Sequence, residues 1–173
     1  RYTEASLVET LEDEGIGRPS TYASIIGTIQ KRDYVRKQGS ALVPTFTAFA
    51  TNNLMETQFE PLVDVNFTAR MEDVLDDIAR GRTEPTPYLH DFYKGDEGIE
   101  PLVEEGLDEL DPQEISAISF PDQWGDYVVR VGQYGPYIEG ELNGSTVTAS
   151  VPDDLTPGEA TEERLESVLA EAN

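Results

Sequence analysis

The residues best suited to chemistry lie in one turn, residues 15–26, with the sequence Gly-Ile-Gly-Arg-Pro-Ser-Thr-Tyr-Ala-Ser-Ile-Ile. Two glycines close a tight turn, and Pro19 presets φ for the first turn of a new helix, where its missing N–H costs nothing. Ser20 and Thr21 place hydroxyls beside the unpaired N–H groups of that first turn, and Arg18 stands just ahead of it. Because a helix N-terminus carries a partial positive charge, this composition predicts a site for a phosphate oxygen.

A purely structural role is the alternative for the same turn. In that interpretation Ser20 only caps the helix and Arg18 is solvated, which is the commoner arrangement for such a turn taken in isolation. The elements on either side of the turn favour the phosphate interpretation, as described below.

Other chemistry finds little support in the sequence. The chain has no cysteine, which excludes disulfides, cysteine nucleophiles and zinc ribbons of the CxxC type. None of the eight tyrosines has a neighbouring base or phosphate clamp in sequence that would activate it. The single histidine, His90, is assigned no role. A group of acidic residues on one predicted helix permits metal binding, but a solvated helix face is favoured there: Glu72, Asp73, Asp76 and Asp77. We therefore predict no catalytic residue and no metal ligand in this chain.

The elements around the turn predict a winged-helix-like domain. Helical spacing of Leu7, Val8 and Leu11, opened by Thr3, precedes the turn, and a second amphipathic helix follows it. A polar bend then leads to a hairpin, residues 34–45, in which Pro44 marks an edge strand. Helix, turn, helix and two-stranded wing is the outline of a DNA-binding domain. Its basic residues are expected on the turn and wing: Arg18, Lys31, Arg32, Arg36 and Lys37.

Further helices are expected as far as residue 95. The best-marked of them spans Phe67 to Ile78, with Asn66 or Thr68 as its N-cap and Gly81 at C′. Residues 96–112 are acidic and predict a linker that contains at most a short helix. We therefore expect a winged-helix-like domain over residues 1–95, followed by this linker.

The remaining segment, residues 113–173, predicts a small β-rich unit with a terminal helix. Strands are expected at residues 115–120 and 127–131, then on both sides of Asn143-Gly144, a strong hairpin signal. Its aromatic residues are expected to pack in the core and turns, with stacking on bases as the alternative: Trp124, Tyr134 and Tyr137. The predicted fold class is thus α+β.

Charge constrains the partners of the chain. The formal net charge is −23, which by itself argues against nucleic-acid binding. However, residues 1–95 carry 10 Lys and Arg against 15 Asp and Glu, whereas residues 96–173 carry 2 against 20. The acidity therefore belongs mainly to the second half, and a local basic face remains compatible with the first. No apolar run approaches the length of a membrane span, so no membrane association is expected.

Four stretches, in order, resemble motifs of the bacterial type IA DNA topoisomerases. They are Arg-Tyr-Thr-Glu-Ala-Ser-Leu-Val at residues 1–8, the turn at 15–26, Leu-Val-Pro-Thr-Phe-Thr-Ala-Phe-Ala at 42–50 and Asn-Phe-Thr-Ala-Arg-Met-Glu-Asp at 66–73. The resemblance is strong to about residue 95 and weaker beyond. Residues 129–138 are similar to the C-terminal repeats of relatives that lack zinc ribbons.

This resemblance implies an internal-to-C-terminal piece of an isomerase that relaxes negatively supercoiled DNA by transient single-strand cleavage and strand passage. The family's nucleophilic tyrosine motif and its acidic Mg²⁺ site have no match here, so this piece is expected to be catalytically silent, with Mg²⁺ required by the full-length enzyme. The resemblance also implies a monomer that binds single-stranded DNA and the remaining domains of its parent, in the cytoplasm at the bacterial nucleoid. Contacts to the strand are expected from Arg1, Thr3, Arg18, Ser20, Thr21 and Tyr22.

The alternative function is a non-enzymatic winged-helix module that binds another protein and carries an acidic tail. The overall charge favours that interpretation, whereas the density of family motifs argues against it.

Overall fold

The computed structural model describes residues 1–108 and 110–172. The chain packs as two compact units, each assembled from separated stretches of sequence. Unit 1 comprises Arg1–Tyr2, Gly27–Asn53 and Asp111–Asn173, and unit 2 comprises Thr3–Ile26 and Leu54–Leu110. This division by packing is discontinuous, whereas composition had indicated three successive segments.

The secondary structure confirms the predicted α+β class. In chain order the elements are β1 (Tyr2–Thr3), α1 (Glu4–Asp13), α2 (Tyr22–Lys31), β2 (Val35–Gln38), β3 (Ala41–Pro44), α3 (Phe46–Gln58), α4 (Glu60–Val63), α5 (Val65–Ala79), α6 (Pro85–Lys94), α7 (Ile99–Asp108), α8 (Pro112–Ile115), β4 (Ala117–Ile118), α9 (Pro121–Trp124), β5 (Val128–Gly132), β6 (Gly135–Leu142), β7 (Ser145–Ser150) and α10 (Glu162–Ala172). None of the helices in the described ranges is long and apolar enough to cross a bilayer.

Unit 1 contains two antiparallel sheets. The hairpin of β2 and β3 places Arg36 opposite Val43, and β1, whose Tyr2 belongs to this unit, completes a sheet of order β1-β3-β2. The second sheet is a meander of order β4-β5-β6-β7. Its last turn places Asn143 at φ 54° and Gly144 at φ 78°, which are the left-handed conformations that a two-residue hairpin of the predicted kind requires.

The core of unit 1 is built around Trp124, which is fully buried. The indole packs against Phe46 and Phe120, with ring centroids 5.9 and 4.8 Å away, and its Nε1–H donates to the Ala160 carbonyl oxygen at 3.1 Å. The same core continues through the meander and α10, where Leu165 and other apolar side chains are buried. Residues around Phe46 therefore share one core with the C-terminal segment.

The aromatic residues of the C-terminal segment differ in their burial. Trp124 packs in the core, as predicted, and Tyr137 is half-buried with its ring 3.2 Å from where a Cβ on Gly132 would lie. Tyr134 was also expected to pack, but its side chain is 97% exposed at the β5–β6 turn. Tyr134 lies between the last paired residues of β5 and β6, Gly132 and Gly135, at the tip of the hairpin.

Unit 2 consists of helices whose ends follow local capping rules. Thr3 caps α1, as predicted, and its hydroxyl accepts from the Ser6 amide in a capping box. The predicted N-cap of α5 was wrong: Asp64, rather than Asn66 or Thr68, accepts from the amides of the first turn. At the other end Gly81 lies at φ 70°, and the 81 and 82 amides bond back to the carbonyls of Ile78 and Asp77, a Schellman motif.

Two segments contain more helix than the sequence indicated. The predicted acidic linker contains α7, a full helix over Ile99–Asp108, whose Gly106 lies against the Phe59 ring. The strand expected at residues 115–120 is reduced to the two residues of β4, because a short helix lies on each side of it. The two helices that flank β4 are α8 and α9. Each has a proline in its first turn, Pro112 and Pro121, and the fixed φ of proline favours helix initiation.

Candidate nucleic-acid interface

The turn between α1 and α2 is closed by backbone geometry that glycine makes possible. Gly15 and Gly17 lie at φ 72° and 75°, in the left-handed region. The side of Gly17 is crowded, because a Cβ built on it would lie 3.0 Å from the Tyr22 ring and the Ile25 side chain. The two glycines predicted to form the turn are therefore required there by conformation, and Gly17 also by space.

The α-helix begins three residues later than its sequence indicated. Pro19, Ser20 and Thr21 form a tighter turn in which the Thr21 and Tyr22 amides both donate to the Arg18 carbonyl, at 2.8 and 3.2 Å. The Thr21 hydroxyl accepts from the Arg18 amide at 2.9 Å and donates to the Arg18 carbonyl at 3.0 Å. The Thr21 hydroxyl therefore bonds the backbone of Arg18 inside the turn, and the Ser20 hydroxyl has no hydrogen bond to a described residue that would make it the cap.

Arg18 is held by four acceptors rather than being solvated. Its Nε donates to Asp76 Oδ2 at 3.3 Å, its Nη1 to the Gly17 and Gly15 carbonyls at 2.7 and 3.2 Å, and its Nη2 to Asp73 Oδ1 at 3.2 Å. A guanidinium has five N–H donors, so these contacts leave one hydrogen, on Nη2, without an assigned acceptor among the described residues. The side chain remains 28% exposed.

The electrostatics of this cluster keep Arg18 charged. Desolvation lowers the pKa of Arg18, but the charge and hydrogen bond of Asp76, with the charges of Glu72 and Asp73, outweigh it and raise the pKa overall. Arginine is charged at any ordinary pH, and the four acceptors orient the guanidinium.

Helix α5 supplies the acidic partners of this turn. In addition to the two aspartates, Glu72 Oε1 accepts from the Gly17 amide at 2.9 Å, and the Ala69 side chain lies against Gly15. Their spacing predicted a solvated helix face, yet three of these acidic residues bind the turn. The partners are more than fifty positions away in the chain, so no local pattern could have revealed the contact.

Ser20 is the predicted site residue that is open to a ligand. Within the described ranges, neither its amide nor its hydroxyl has a hydrogen-bond partner, and the residue is exposed. The other amides of the turn, those of Gly17, Arg18, Thr21 and Tyr22, already have acceptors. The tip therefore offers Ser20 and one edge of Arg18 to an anion.

The remaining predicted site residues lie in different settings. Arg1 is exposed in unit 1 and donates from Nη1 to Gln38 Oε1 at 3.1 Å. Thr3 uses its hydroxyl in the α1 cap, and Tyr22 is half-buried against Gly17. The structure thus brings Arg18, Ser20, Thr21 and Tyr22 together in one turn.

One basic residue predicted for the wing, Arg36, is also bound to acceptors of the chain. Arg36 bonds both oxygens of Asp33, at 2.7 and 2.9 Å, and the Asp153 carbonyl at 2.7 Å. The hydrogen bond from Arg36 lowers the pKa of Asp33 against an opposing effect of burial, and the nearby charge lowers it further. Lys31 and Arg32 are exposed.

No group of three or more His, Cys, Asp or Glu side chains is arranged to hold a metal ion in the part of the chain that the structure describes. The acidic residues nearest to one another at the turn are engaged instead by Arg18 and the Gly17 amide. Among the described residues, the carboxylates at the turn are therefore not arranged as a Mg²⁺ site.

Comparison with known proteins identifies the family. The model of the DNA topoisomerase family matches residues 1–90, which include the whole turn, all of α4 and α5, and the first part of α6. The chain is similar to DNA topoisomerase 1 of Synechocystis sp., with 50% identity over 169 residues that cover 98% of this chain and 19% of the relative. It is also similar to DNA topoisomerase 1 of Streptomyces coelicolor, with 48% identity over 192 residues, 98% of this chain and 20% of the relative.

A solved structure agrees with these matches. Full-length topoisomerase I from Thermotoga maritima superposes with a TM-score of 0.69 and 32% identity, covering 90% of this chain and 26% of that chain. This chain therefore belongs to the DNA topoisomerase family, and the resemblance noted in its sequence is confirmed. It spans about a fifth of the length of the curated bacterial relatives that it matches.

Proposed function

We propose that this chain forms part of a bacterial type IA topoisomerase, which relaxes negatively supercoiled DNA by transient single-strand cleavage and strand passage. In this proposal the chain holds the unpaired strand and does not cleave it. The single observation that carries the proposal is the family match over residues 1–90, because that stretch contains Arg18 and its α5 partners. The sequence lacks the family's tyrosine motif, so the nucleophile and its Mg²⁺ belong to the rest of the protein.

The site geometry supports a noncovalent role. Arg18 presents Nη2, and Ser20 presents an amide and a hydroxyl, and all three are donors to phosphate oxygen. Because much of the catalysis of phosphoryl transfer comes from positioning, a surface that only orients the strand still contributes to rate. Arg1, Thr3, Thr21 and Tyr22 are proposed as further strand contacts, although the hydroxyls of Thr3 and Thr21 already make hydrogen bonds within the chain.

Partners and location follow from the same proposal. The chain works as a monomer with the other domains of its parent, acts on single-stranded DNA in a winged-helix-like arrangement, and resides in the cytoplasm at the nucleoid. The sequential division into 1–95, 96–112 and 113–173 is likewise proposed as the domain organisation of this chain.

The test is Arg18→Ala in the full-length protein, with Arg82→Ala as the matched control. Arg82 is an exposed arginine of the same unit whose partner is Asp77, so its removal changes net charge equally without touching the turn. We expect Arg18→Ala to weaken binding of a fluorescent single-stranded oligonucleotide and to slow relaxation. We also expect the slope of log affinity against log salt to become shallower by about 0.7. Wild-type binding and relaxation in Arg18→Ala would show that Arg18 is not a strand contact.

A protein-binding module is the second candidate, favoured by the net charge of −23. It predicts no measurable single-strand affinity even at low salt, whereas phosphate contacts predict affinity that falls steeply as salt rises. The same titration on the wild-type protein separates the two.

A further inference from the structure

The guanidinium of Arg18 has two kinds of carboxylate partner. Asp76 is 33% exposed and bonds Nε at 3.3 Å, whereas Asp73 is 81% exposed and bonds Nη2 at 3.2 Å. The Nη1 edge faces the Gly15 and Gly17 carbonyls. Three of the four contacts therefore hold Arg18 from the protein side, and the fourth lies on the solvent side.

The solvent-side contact lies on the nitrogen that a strand would approach, because Nη2 also carries the one guanidinium hydrogen with no assigned acceptor among the described residues. A phosphate oxygen cannot reach Nε or Nη1 while Asp76 and the two carbonyls occupy them, so only Nη2 remains for bonding. A carboxylate and a phosphate both seek the same donors, and both are negative, so they exclude one another at this position. An exposed ion pair is weak enough to be exchanged.

We infer that Asp73 competes with the DNA phosphate for Nη2 of Arg18, while Asp76 and Glu72 are positioning residues that hold Arg18 and its turn in place. This inference rests on the proposed function and deepens it. When no strand is bound, Asp73 occupies the guanidinium edge. When a strand binds, its phosphate displaces the Asp73 carboxylate, which moves into water. Asp73 thereby lowers the affinity of the site and speeds release of the strand.

The chain provides a matched control for this competition. Asp77 is a neighbouring acidic residue on α5, 44% exposed, and it pairs with Arg82 rather than with Arg18. Asp77→Asn removes the same unit of charge from the same helix. Any difference between Asp73→Asn and Asp77→Asn therefore reports the contact with Arg18 rather than the net charge.

The experiment is a set of titrations of the full-length protein with a fluorescent single-stranded oligonucleotide at low and at moderate salt. The variants are Asp73→Asn, Asp77→Asn, Arg18→Ala and the Arg18→Ala/Asp73→Asn double variant. We expect Asp73→Asn to tighten binding about three- to tenfold at low salt, with slower dissociation, and Asp77→Asn to change it by less than about twofold. In the Arg18→Ala background, Asp73→Asn should have no effect beyond that of Asp77→Asn.

Two results overturn the inference, and they are distinguishable from failure of the proposed function. In the first, Asp73→Asn increases oligonucleotide affinity no more than Asp77→Asn does. In the second, the increase persists in the Arg18→Ala background. Either result would mean that Asp73 affects binding only through the net charge. In both cases weaker binding by Arg18→Ala would leave the proposed function standing. If Arg18→Ala binds as the wild type does, the proposed function and this inference both fail. Arg18→Lys, which keeps the charge but loses the fork, replaces Arg18→Ala if the alanine variant unfolds.

Discussion

The backbone amide of Gly17 donates a hydrogen bond of 2.9 Å to the Glu72 carboxylate, and this contact joins the turn before α2 to the middle of α5. Gly17 is buried, so its amide has no ready access to water as a substitute acceptor. Together with the Arg18 ion pairs, this bond means that the proposed strand-binding turn is supported by a second helix as well as by its own loop.

Glu72→Ala is expected to destabilise the protein by about 1–3 kcal/mol, because it leaves a buried amide without an acceptor. Glu72→Gln keeps an acceptor oxygen at the same place, so its loss of unfolding free energy should be clearly smaller. The measurement is urea unfolding of both variants beside the wild type. Equal stability of Glu72→Ala and wild type would mean that the Gly17 amide finds another partner.

Gly17→Ala is expected to lower the stability of the folded chain more than Gly39→Ala does. Both glycines lie in the left-handed region, at φ 75° and 61°, where an alanine is disfavoured by about 1–2 kcal/mol. Only Gly17 is crowded, because its added Cβ would meet the Tyr22 ring and Ile25, whereas nothing lies within 4 Å at Gly39. Thermal unfolding of the two variants should therefore separate strain from steric overlap. A smaller loss for Gly17→Ala than for Gly39→Ala would contradict the geometry.

Trp124→Phe is expected to destabilise unit 1 by about 2–4 kcal/mol. The smaller ring leaves a cavity, and the Ala160 carbonyl loses the indole N–H as its donor. Tyr134→Ala serves as the control, because a side chain that is 97% exposed should change stability by no more than about 0.5 kcal/mol. Urea unfolding followed by circular dichroism measures both. Comparable losses in the two variants would place Tyr134 in the core instead of in water.

The Asp33–Arg36 ion pair gives the stability a small acid dependence. Because the pKa of Asp33 is lower in the folded chain than its ordinary value of 3.8, its contribution is fully present above that value. It is lost as pH falls through the lower, folded pKa. Both side chains are about half exposed, so the contribution should stay below about 1 kcal/mol.

Asp33→Asn tests this dependence, because asparagine also tolerates the φ of 55° at this position. The difference in unfolding free energy between the wild type and Asp33→Asn should be constant from pH 7 to about 5 and shrink below pH 4. A difference that grows as the solution is acidified would have the wrong sign for this ion pair.

Much of the secondary structure was predictable because its signals are local. Three signals each specify a boundary within a few residues: Thr3 before an apolar stripe, Gly81 after one, and Asn143-Gly144 between two strands. The prediction of the α5 cap was wrong because three polar residues lie close together there: Asp64, Asn66 and Thr68. Only the path of the backbone decides which of them faces the free amides.

The position of the candidate site was predictable from the sequence, but its contacts with α5 were not. The composition of the turn located Arg18, Ser20 and Thr21, yet the acidic face of α5 looked solvated, because periodicity shows which residues share a face and not what that face meets. Likewise Phe46 and Trp124 are both plausible core residues, but nothing local in sequence indicates that they share one core. Contacts between distant segments depend on the tertiary fold.

The discontinuous make-up of unit 1 has a consequence for biosynthesis. The β2–β3 hairpin and Phe46 leave the ribosome well before Trp124 and α10, with which Phe46 shares a core. At ordinary elongation rates the nascent chain waits seconds for that apolar surface to be covered. During this interval Phe46 stays accessible to chaperones, and premature termination after α7 would release a polypeptide in which Phe46 lacks the C-terminal part of its core.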